Sequence, residues 1–202
     1  GRTACWTAAS YGQDRVVRLL VSARASFIAN SDGTTPVYIA AQEGHAEVVR
    51  VLAELGANVE TPNNPGATPV FVAAQEGHKE VVELLIEKGA DVNHRDKFGR
   101  TPLYMACRNG ALGDIKALLK AGADPNLPDS KYGHTAIHVA AIKLGGKYLD
   151  GWTRGIDGTA AIENFKSIFK LLVENGAKLD LKDHHGRDVE ALLKRFTSVE
   201  LD

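Results

Sequence analysis

The side chains that could carry out nucleophilic or metal chemistry are few in this chain. Among its 202 residues are two cysteines, Cys5 and Cys107, and seven histidines. Two cysteines are too few for a disulfide scaffold. The sequence contains no phosphate-binding loop, dinucleotide-binding glycine motif, zinc-protease motif or nucleophile elbow. His184 and His185 are adjacent, but they have no evident partners for a metal site. We therefore expect no enzymatic activity, no metal and no cofactor.

The elements that must position these side chains follow from an internal repeat. Four copies of one motif read GTTPVYIAAQEGH, GATPVFVAAQEGH, GRTPLYMACRNGA and GHTAIHVAAIKLG. They begin 33, 33 and 34 residues apart, at Gly33, Gly66, Gly99 and Gly133. A first copy starts at Gly1, and a degenerate last copy, GRDVEALL, starts at Gly186. A period of this length indicates a stack of similar supersecondary units.

Each unit has the signals of two short helices followed by a turn. Thr35 is a good N-cap and Pro36 suits the first helical position, and the Thr-Pro pair recurs in the next two units. Gly44 should end the first helix. Apolar residues at helical spacing then mark a second helix, which Gly56 closes. A polar segment follows, which suits a β-hairpin finger.

The repeat resembles the ankyrin family, whose units read T-P-L-H-x-A-A and G-H-x-E-V-V-x-L-L-x-x-G-A-D-V-N. The segments GHAEVVRVLAELGANV and GHKEVVELLIEKGADVN match the second half closely. The resemblance covers nearly the whole chain. It implies an all-α repeat solenoid of helix-turn-helix pairs with β-hairpin fingers, about five units and a C-terminal capping helix. We expect one ankyrin-repeat domain over residues 1–202, with units at 1–31, 32–64, 65–97, 98–131 and 132–183 and a cap at 184–202.

The fifth unit departs from the pattern. Gly133 and Gly186 are 53 residues apart, about 20 more than one period. The surplus lies at 145–161, and a longer second helix with a loop would absorb it. This insert contains Tyr148, Trp152 and Arg154, which are residue types common in binding hot spots. Either these side chains contact a partner, or Trp152 folds back and covers apolar surface. The sequence leaves both interpretations open.

Several conspicuous residues have structural interpretations. The resemblance implies that His45 and His78 are structural, and that one aromatic column fills the joints between units rather than forming a ligand platform. This column is Trp6, Tyr38, Phe71, Tyr104 and His138. The two cysteines, three repeat steps or roughly 30 Å apart, should be separate core residues. We expect Asn93 and Asn126 to serve the turns, although their spacing also resembles that of hydroxylated asparagines in some ankyrin proteins.

The resemblance also implies where a partner binds, on a concave face that we call the palm. It comprises the exposed ends of the first helices and the finger tips. By register its residues are Gln42, Glu43, Gln75, Glu76, Lys97, Phe98, Arg100, Arg108, Asn109, Lys131, Tyr132 and His134. The second unit, residues 32–64, carries a net charge of −4, whereas residues 98–131 carry +2. Such a split palm suits a dipolar peptide or a folded protein.

The function that these features predict is protein binding by a non-enzymatic scaffold or adaptor. The alternative is a regulatory or substrate-recruiting ankyrin domain of a larger multidomain enzyme or channel. The net charge of −1 gives no sign of a nucleic-acid partner, and no apolar run is long enough for a membrane helix. We expect a monomeric domain that belongs to a larger intracellular protein, cytoplasmic or nuclear, and that binds a protein or peptide.

Overall fold

The fold is a two-layer stack of short helices. The structure, a computed structural model, describes residues 2–145 and 158–197, and across these ranges the backbone forms helices and no strand. The first helices of the units are α1 (Ala4–Ser10), α3 (Pro36–Gln42), α5 (Pro69–Glu76), α7 (Pro102–Asn109) and α9 (Ala136–Gly145). The second helices are α2 (Asp14–Ser22), α4 (Ala46–Glu54), α6 (Lys79–Glu87), α8 (Leu112–Lys120) and α10 (Gly158–Glu174). A last helix, α11 (Val189–Thr197), follows them.

Capping by threonine starts most of the first helices. The side chains of Thr35 and Thr101 each accept a hydrogen bond from the backbone N–H three residues on, at 3.1 Å. A proline fills the next position in both helices, as predicted. Thr68 is the exception, because its buried hydroxyl makes no hydrogen bond. The side-chain cap predicted there is wrong, and α5 starts with only the backbone conformation of Thr68 and the following proline.

The first helices of units 1 and 2 end where a histidine of the next unit packs against a glycine. Gly44 has a φ of +78°, and a Cβ atom added there would lie 2.7 Å from Nδ1 of His78. Nε2 of the same ring donates a hydrogen bond to the carbonyl of Gln42 at 2.9 Å. His45 makes the equivalent bond to the carbonyl of Ser10 at 3.2 Å. The structural role predicted for both histidines is confirmed.

The second helices also end in a left-handed residue. Gly56, Gly89, Gly122 and Gly176 all have φ between +84° and +89°. In unit 1 this position is Arg24, at φ +64°, and it is the single non-glycine residue with positive φ in the described part of the chain. A residue with a Cβ atom is strained in this conformation.

Replacing Arg24 with glycine should raise the free energy of unfolding by about 0.5–1 kcal/mol, because the relieved strain exceeds the backbone entropy that glycine loses. Urea denaturation measures the change. Arg24→Ala is the control, since it removes the charge and keeps the strain. If Arg24→Ala stabilises the chain as much as Arg24→Gly, strain at this residue is not the cause.

The core runs through the stack without a break. Consecutive first helices pack side by side, and so do consecutive second helices. The largest fully buried side chains come from several units and include Leu52, Phe71, Leu85, Leu103 and Ile115. The aromatic column lies inside this core, with Tyr104 partly exposed. The interpretation that it fills the joints between units is confirmed.

Asparagine side chains link the units on the side of the second helices. Asn93 donates from Nδ2 to the carbonyl of Gly122 at 3.1 Å and accepts at Oδ1 from the N–H of Asp124 at 2.8 Å. Its own N–H donates to Asp91 Oδ1 at 2.9 Å. Asn126 repeats the arrangement one unit later. The predicted turn role is confirmed, and each amide also bridges two units.

The fifth unit has a longer second helix, as predicted. Helix α10 has 17 residues, whereas α8 and α6 have nine each. Residues 146–157 lie outside the described part, and Tyr148, Trp152 and Arg154 are among them. Both interpretations of the insert therefore stay predictions. Helix α11 packs on α9 and buries Val189.

Candidate binding surface

Buried aspartates or half-buried asparagines close the fingers. Oδ1 of Asp96 accepts the backbone N–H groups of Phe98 and Arg100, both at 2.9 Å. The N–H of Asp96 donates to the carbonyl of Arg100 at 3.0 Å, which completes a tight hairpin turn without strands. The predicted hairpins are thus turns only. The equivalent residues in the other fingers are Asn30, Asn63, Asp129 and Asp183.

The fingers are joined into a continuous finger ridge. At each joint one backbone N–H donates to a carbonyl of the preceding finger at 2.8–3.0 Å, and one side chain adds a second bond at 2.7–3.1 Å. The backbone donors are Asn64, Lys97, Ser130 and His184, and the side-chain donors are Asn64, His94, Arg95 and His184. Neighbouring finger tips are therefore held beside each other.

The ridge is aromatic and basic at units 4 and 5. Phe98 is 54% exposed and Tyr132 is 39% exposed. The Arg100 guanidinium lies 4.9 Å from the Phe98 ring centroid, and Lys131 Nζ lies 4.6 Å from that of Tyr132. Lys97 is exposed beside Phe98. This end presents two flat rings, each paired with a cation.

Arg100 is fixed rather than free. Its guanidinium forms an ion pair with the buried carboxylate of Asp96, to which Nε also donates at 2.8 Å. Arg187 holds Asp183 in the same way, with Nε donating at 2.8 Å. Burial alone would raise the pKa of Asp183, but hydrogen bonds from Arg187 and from backbone N–H groups hold it well below the ordinary value. The carboxylate of Asp183 therefore stays ionised over the physiological range.

His134 lies inside the protein rather than at a tip. It is 8% exposed and stacks on Tyr132 with ring centroids 5.3 Å apart. Its Nε2 is 3.4 Å from Oδ2 of Asp183, and its Nδ1 is 4.0 Å from Oδ2 of Asp129. Burial lowers its pKa, although both carboxylates oppose the shift. A side chain this buried offers little surface to a partner, so the exposed tip predicted for His134 is not found.

The palm is acidic and rich in amides at units 2 and 3. Glu43 and Glu76 are exposed, and Gln42 and Gln75 are half-buried beside them. Gln75 donates from Nε2 to Oε1 of Glu76 at 2.8 Å. Burial and then the nearby Glu76 raise the pKa of Tyr38 to about 12, so this phenol remains protonated.

Two further features border the palm. An open groove of about 420 Å³ lies between units 1 and 2, where Trp6, Tyr11 and Asp32 adjoin Gln42 and Glu43. At unit 4, Arg108 and Asn109 are exposed at the end of α7. The sequence analysis did not identify Tyr11, which is 73% exposed. Tyr11 occupies the same repeat position in unit 1 as Glu43 does in unit 2, and this equivalence could have identified it.

The described ranges contain no cluster of three or more His, Cys, Asp or Glu side chains that could hold a metal. Cys5 and Cys107 are buried free thiols, and burial raises the pKa of each. Neither is an activated nucleophile. Of the helices that the structure describes, none is long and apolar enough to span a bilayer.

Comparison with known proteins agrees with this geometry. A search of curated proteins found no match. The family model described as "Ankyrin repeats (3 copies)" matches residues 1–63, 57–129 and 96–150. These ranges overlap and span 1–150, which is well over half of the chain. The chain belongs to the ankyrin-repeat family.

Proposed function

We propose that this chain is a non-enzymatic protein-binding module, a scaffold or adaptor, whose contact surface is the palm. Ankyrin repeats are in general protein-interaction modules. The observation that carries the proposal for this chain is the aromatic and basic end of the finger ridge. Phe98 and Tyr132 are two of the few large apolar side chains exposed among the described residues, and each lies beside a cation.

The rigidity of this end supports binding. Asp96 holds both the backbone of its finger and the guanidinium that packs on Phe98. Side chains ordered before binding lose less conformational entropy when a partner arrives. Aromatic residues and arginine also carry a large share of binding energy at interfaces. The ring and cation pairs are therefore suited to act as anchors for a partner.

The charge distribution supports a partner with two differently charged parts. Glu43 and Glu76 lie on the acidic side of the palm, and Lys97, Arg108 and Lys131 lie on the basic side. Opposite charges across an interface favour the correct orientation and speed up encounter. We therefore propose a peptide or protein whose acidic segment meets units 4 and 5 and whose basic segment meets units 2 and 3.

Replacing Phe98, Arg108 and Tyr132 together with alanine should weaken partner binding at least tenfold, because hot-spot side chains contribute more than about 1–2 kcal/mol each. The stability should change little, since surface substitutions shift it by about 0.5 kcal/mol each. Partners are first captured from a native lysate and identified by mass spectrometry. Their affinities for the variant are then measured by calorimetry.

The matched control replaces Lys120, Val173 and Leu179 with alanine. It also removes one cation and two exposed apolar side chains, but at α8, at α10 and just beyond α10. Binding should remain as in the unmodified chain. If the palm variant binds as tightly as this control, the palm is not the contact surface.

A further inference from the structure

Two buried histidines of unit 5 are stacked on one another. The ring centroids of His134 and His138 lie 5.8 Å apart, and the two side chains are 8% and 0% exposed. Nε2 of each ring is buried and makes no hydrogen bond. The other five histidines of the chain are half-buried or exposed. The stacked pair therefore consists of titratable groups that are shielded from water.

The repeat identifies His134 as the exception among the basic residues at the base of the fingers. Arg100, His134 and Arg187 each follow the glycine of their own finger. Both arginines form ion pairs with the aspartate that closes the same finger. An arginine stays charged at every physiological pH, whereas a histidine changes its charge between about pH 5 and 8. The fifth finger therefore has a base whose charge depends on the pH.

The carboxylates that face His134 are already engaged by other donors. Oδ2 of Asp183 accepts a hydrogen bond from Nε of Arg187 at 2.8 Å and lies 2.7 Å from Nη2 of the same guanidinium. Nε2 of His134 lies 3.4 Å from that oxygen. Oδ2 of Asp129 accepts the backbone N–H of His134 at 3.1 Å and lies 4.0 Å from its Nδ1. A proton gained by His134 would therefore add a buried charge without adding a short hydrogen bond.

His138 is still less suited to carry a charge. Its Nδ1 accepts the backbone N–H of Thr135 at 3.3 Å and lies 2.8 Å from Oγ1 of the same residue. A proton on Nδ1 would remove the first of these hydrogen bonds, since a protonated ring nitrogen only donates. Two protonated rings stacked on one another would also repel. The closed structure therefore favours the neutral form of both histidines.

The surrounding groups agree with this direction. Burial is the main cause that lowers the pKa of both histidines. Arg187 lowers the pKa of His134 further, and His134 lowers that of His138. The groups that oppose these shifts are the carboxylates of Asp129 and Asp183 and, for His138, the carboxylate of Asp183 with the backbone of Leu181 and Arg187. Two tyrosines border the cluster, Tyr104 beside Asp129 and Tyr132 on the His134 ring.

The last finger and α11 shield the two rings, and we call them, residues 183–197, the cap segment. Helix α11 packs on α9, the helix that carries His138. Asp183 is the carboxylate nearest to His134, and the backbone N–H of His184 donates to the carbonyl of Tyr132 at 2.8 Å. Local opening of the cap segment would therefore bring both rings into contact with water.

We propose that the cap segment is an acid-sensitive element, which opens locally when His134 and His138 take up protons. A histidine with a lowered folded pKa contributes stability that is complete above its unfolded pKa of about 6.5 and is lost as the pH falls from there through the folded pKa. Each ring can therefore raise the ratio of open to closed molecules by up to about tenfold per pH unit. Opening also removes His134 from Tyr132, on which it stacks with ring centroids 5.3 Å apart. This last consequence, a weaker palm at low pH, is the only one that rests on the proposed function.

Hydrogen exchange of the full chain at pH 7 and at pH 5, with the rates corrected for the intrinsic effect of pH, tests the proposal. Amides of α11 should lose at least about tenfold in protection at pH 5, whereas those of α6, in the middle of the stack, should not. Replacing His134 and His138 together with glutamine, which does not titrate, should reduce this loss to less than about twofold. His185→Gln is the matched control, because His185 is an exposed histidine of the same segment. This control should lose as much protection as the unmodified chain.

The single variants His134→Gln and His138→Gln keep the test decisive if the double variant is already open at pH 7. Each should lose less protection between pH 7 and pH 5 than the unmodified chain does. The proposal is overturned if α11 keeps its protection at pH 5, or if α6 loses as much as α11. It is equally overturned if the variants of His134 and His138 lose as much as the His185→Gln control. No partner enters this experiment, so its result does not depend on the palm.

Discussion

Replacing Leu85 with alanine should lower the free energy of unfolding by about 2–5 kcal/mol, the range for large-to-small substitutions in a close-packed core. Leu85 is fully buried in α6, and α6 packs against both α4 and α8. The cavity would lie in the middle of the stack, where neighbouring units on both sides limit relaxation. Urea denaturation followed by circular dichroism measures the loss.

The control for this substitution is Leu19→Ala, which removes the same atoms from a leucine that is 70% exposed. Its effect should stay within about 0.5 kcal/mol. Because Leu85 is fully buried, the folded fraction of Leu85→Ala should bind partners unchanged. Equal losses for the two variants would contradict the packing described for α6.

Replacing Asp114 with valine should raise the free energy of unfolding at pH 7 by about 2–3 kcal/mol. Asp114 lies in the first turn of α8 and is 2% exposed, at the register of Val48 and Val81. Its Oδ2 has no hydrogen-bond partner. A buried carboxylate with an unpaired oxygen is unfavourable when ionised. Valine restores the apolar side chain that the other units have at this position.

The pH dependence identifies the cause. Burial is the main reason that the pKa of Asp114 is raised to about 6, and Glu83 raises it further, whereas its backbone hydrogen bond and Lys79 oppose the shift. A folded pKa above the unfolded one means that the folded state binds more protons between the two values. Below about pH 4 Asp114 is protonated in both states, and its ionisation does not destabilise the folded state. This destabilisation develops as the pH rises and is complete above about pH 6. The difference between the ordinary pKa of an aspartate and the pKa of about 6 for Asp114 corresponds to about 3 kcal/mol.

Denaturation of the unmodified chain and of the Asp114→Val variant, each at pH 4 and at pH 7, measures the change in the free energy of unfolding. The stability gained by Asp114→Val should be large at pH 7 and small at pH 4. Asp114→Asn, which removes the charge and keeps a polar group, should give a smaller gain. A gain that does not depend on pH would show that valine acts by packing alone.

Much of the fold could be predicted from the sequence because its signals are local and repeated. Gly44 and Gly56 end their helices because each residue adopts a left-handed conformation, and the same glycines recur at every period. The lengthened α10 followed from counting residues against that period. Arg24 was identifiable as an irregularity for the same reason, since the repeat shows which residue stands at each position.

The features that were missed depend on contacts rather than on register. Thr68 precedes a proline and a valine as Thr35 does, yet its hydroxyl makes no capping bond. His134 follows a repeat glycine as Arg100 does, but the direction of its side chain depends on carboxylates from two different fingers, Asp129 and Asp183. The repeat pattern alone does not show that His134 lies between these two carboxylates. The binding role of the palm residues stays a prediction.

The way in which the fingers are joined has a mechanical consequence. The helices of successive units share a continuous core, whereas each finger joint has one backbone and one side-chain hydrogen bond. Bending that opens or closes the finger ridge strains few bonds, while bending that separates the helices exposes apolar surface. Each finger is rigid within itself, but we expect the angle between neighbouring fingers to change more easily than the packing between neighbouring helices. A partner that spans several finger tips should therefore be able to adjust the curvature of the array while each finger keeps its own turn.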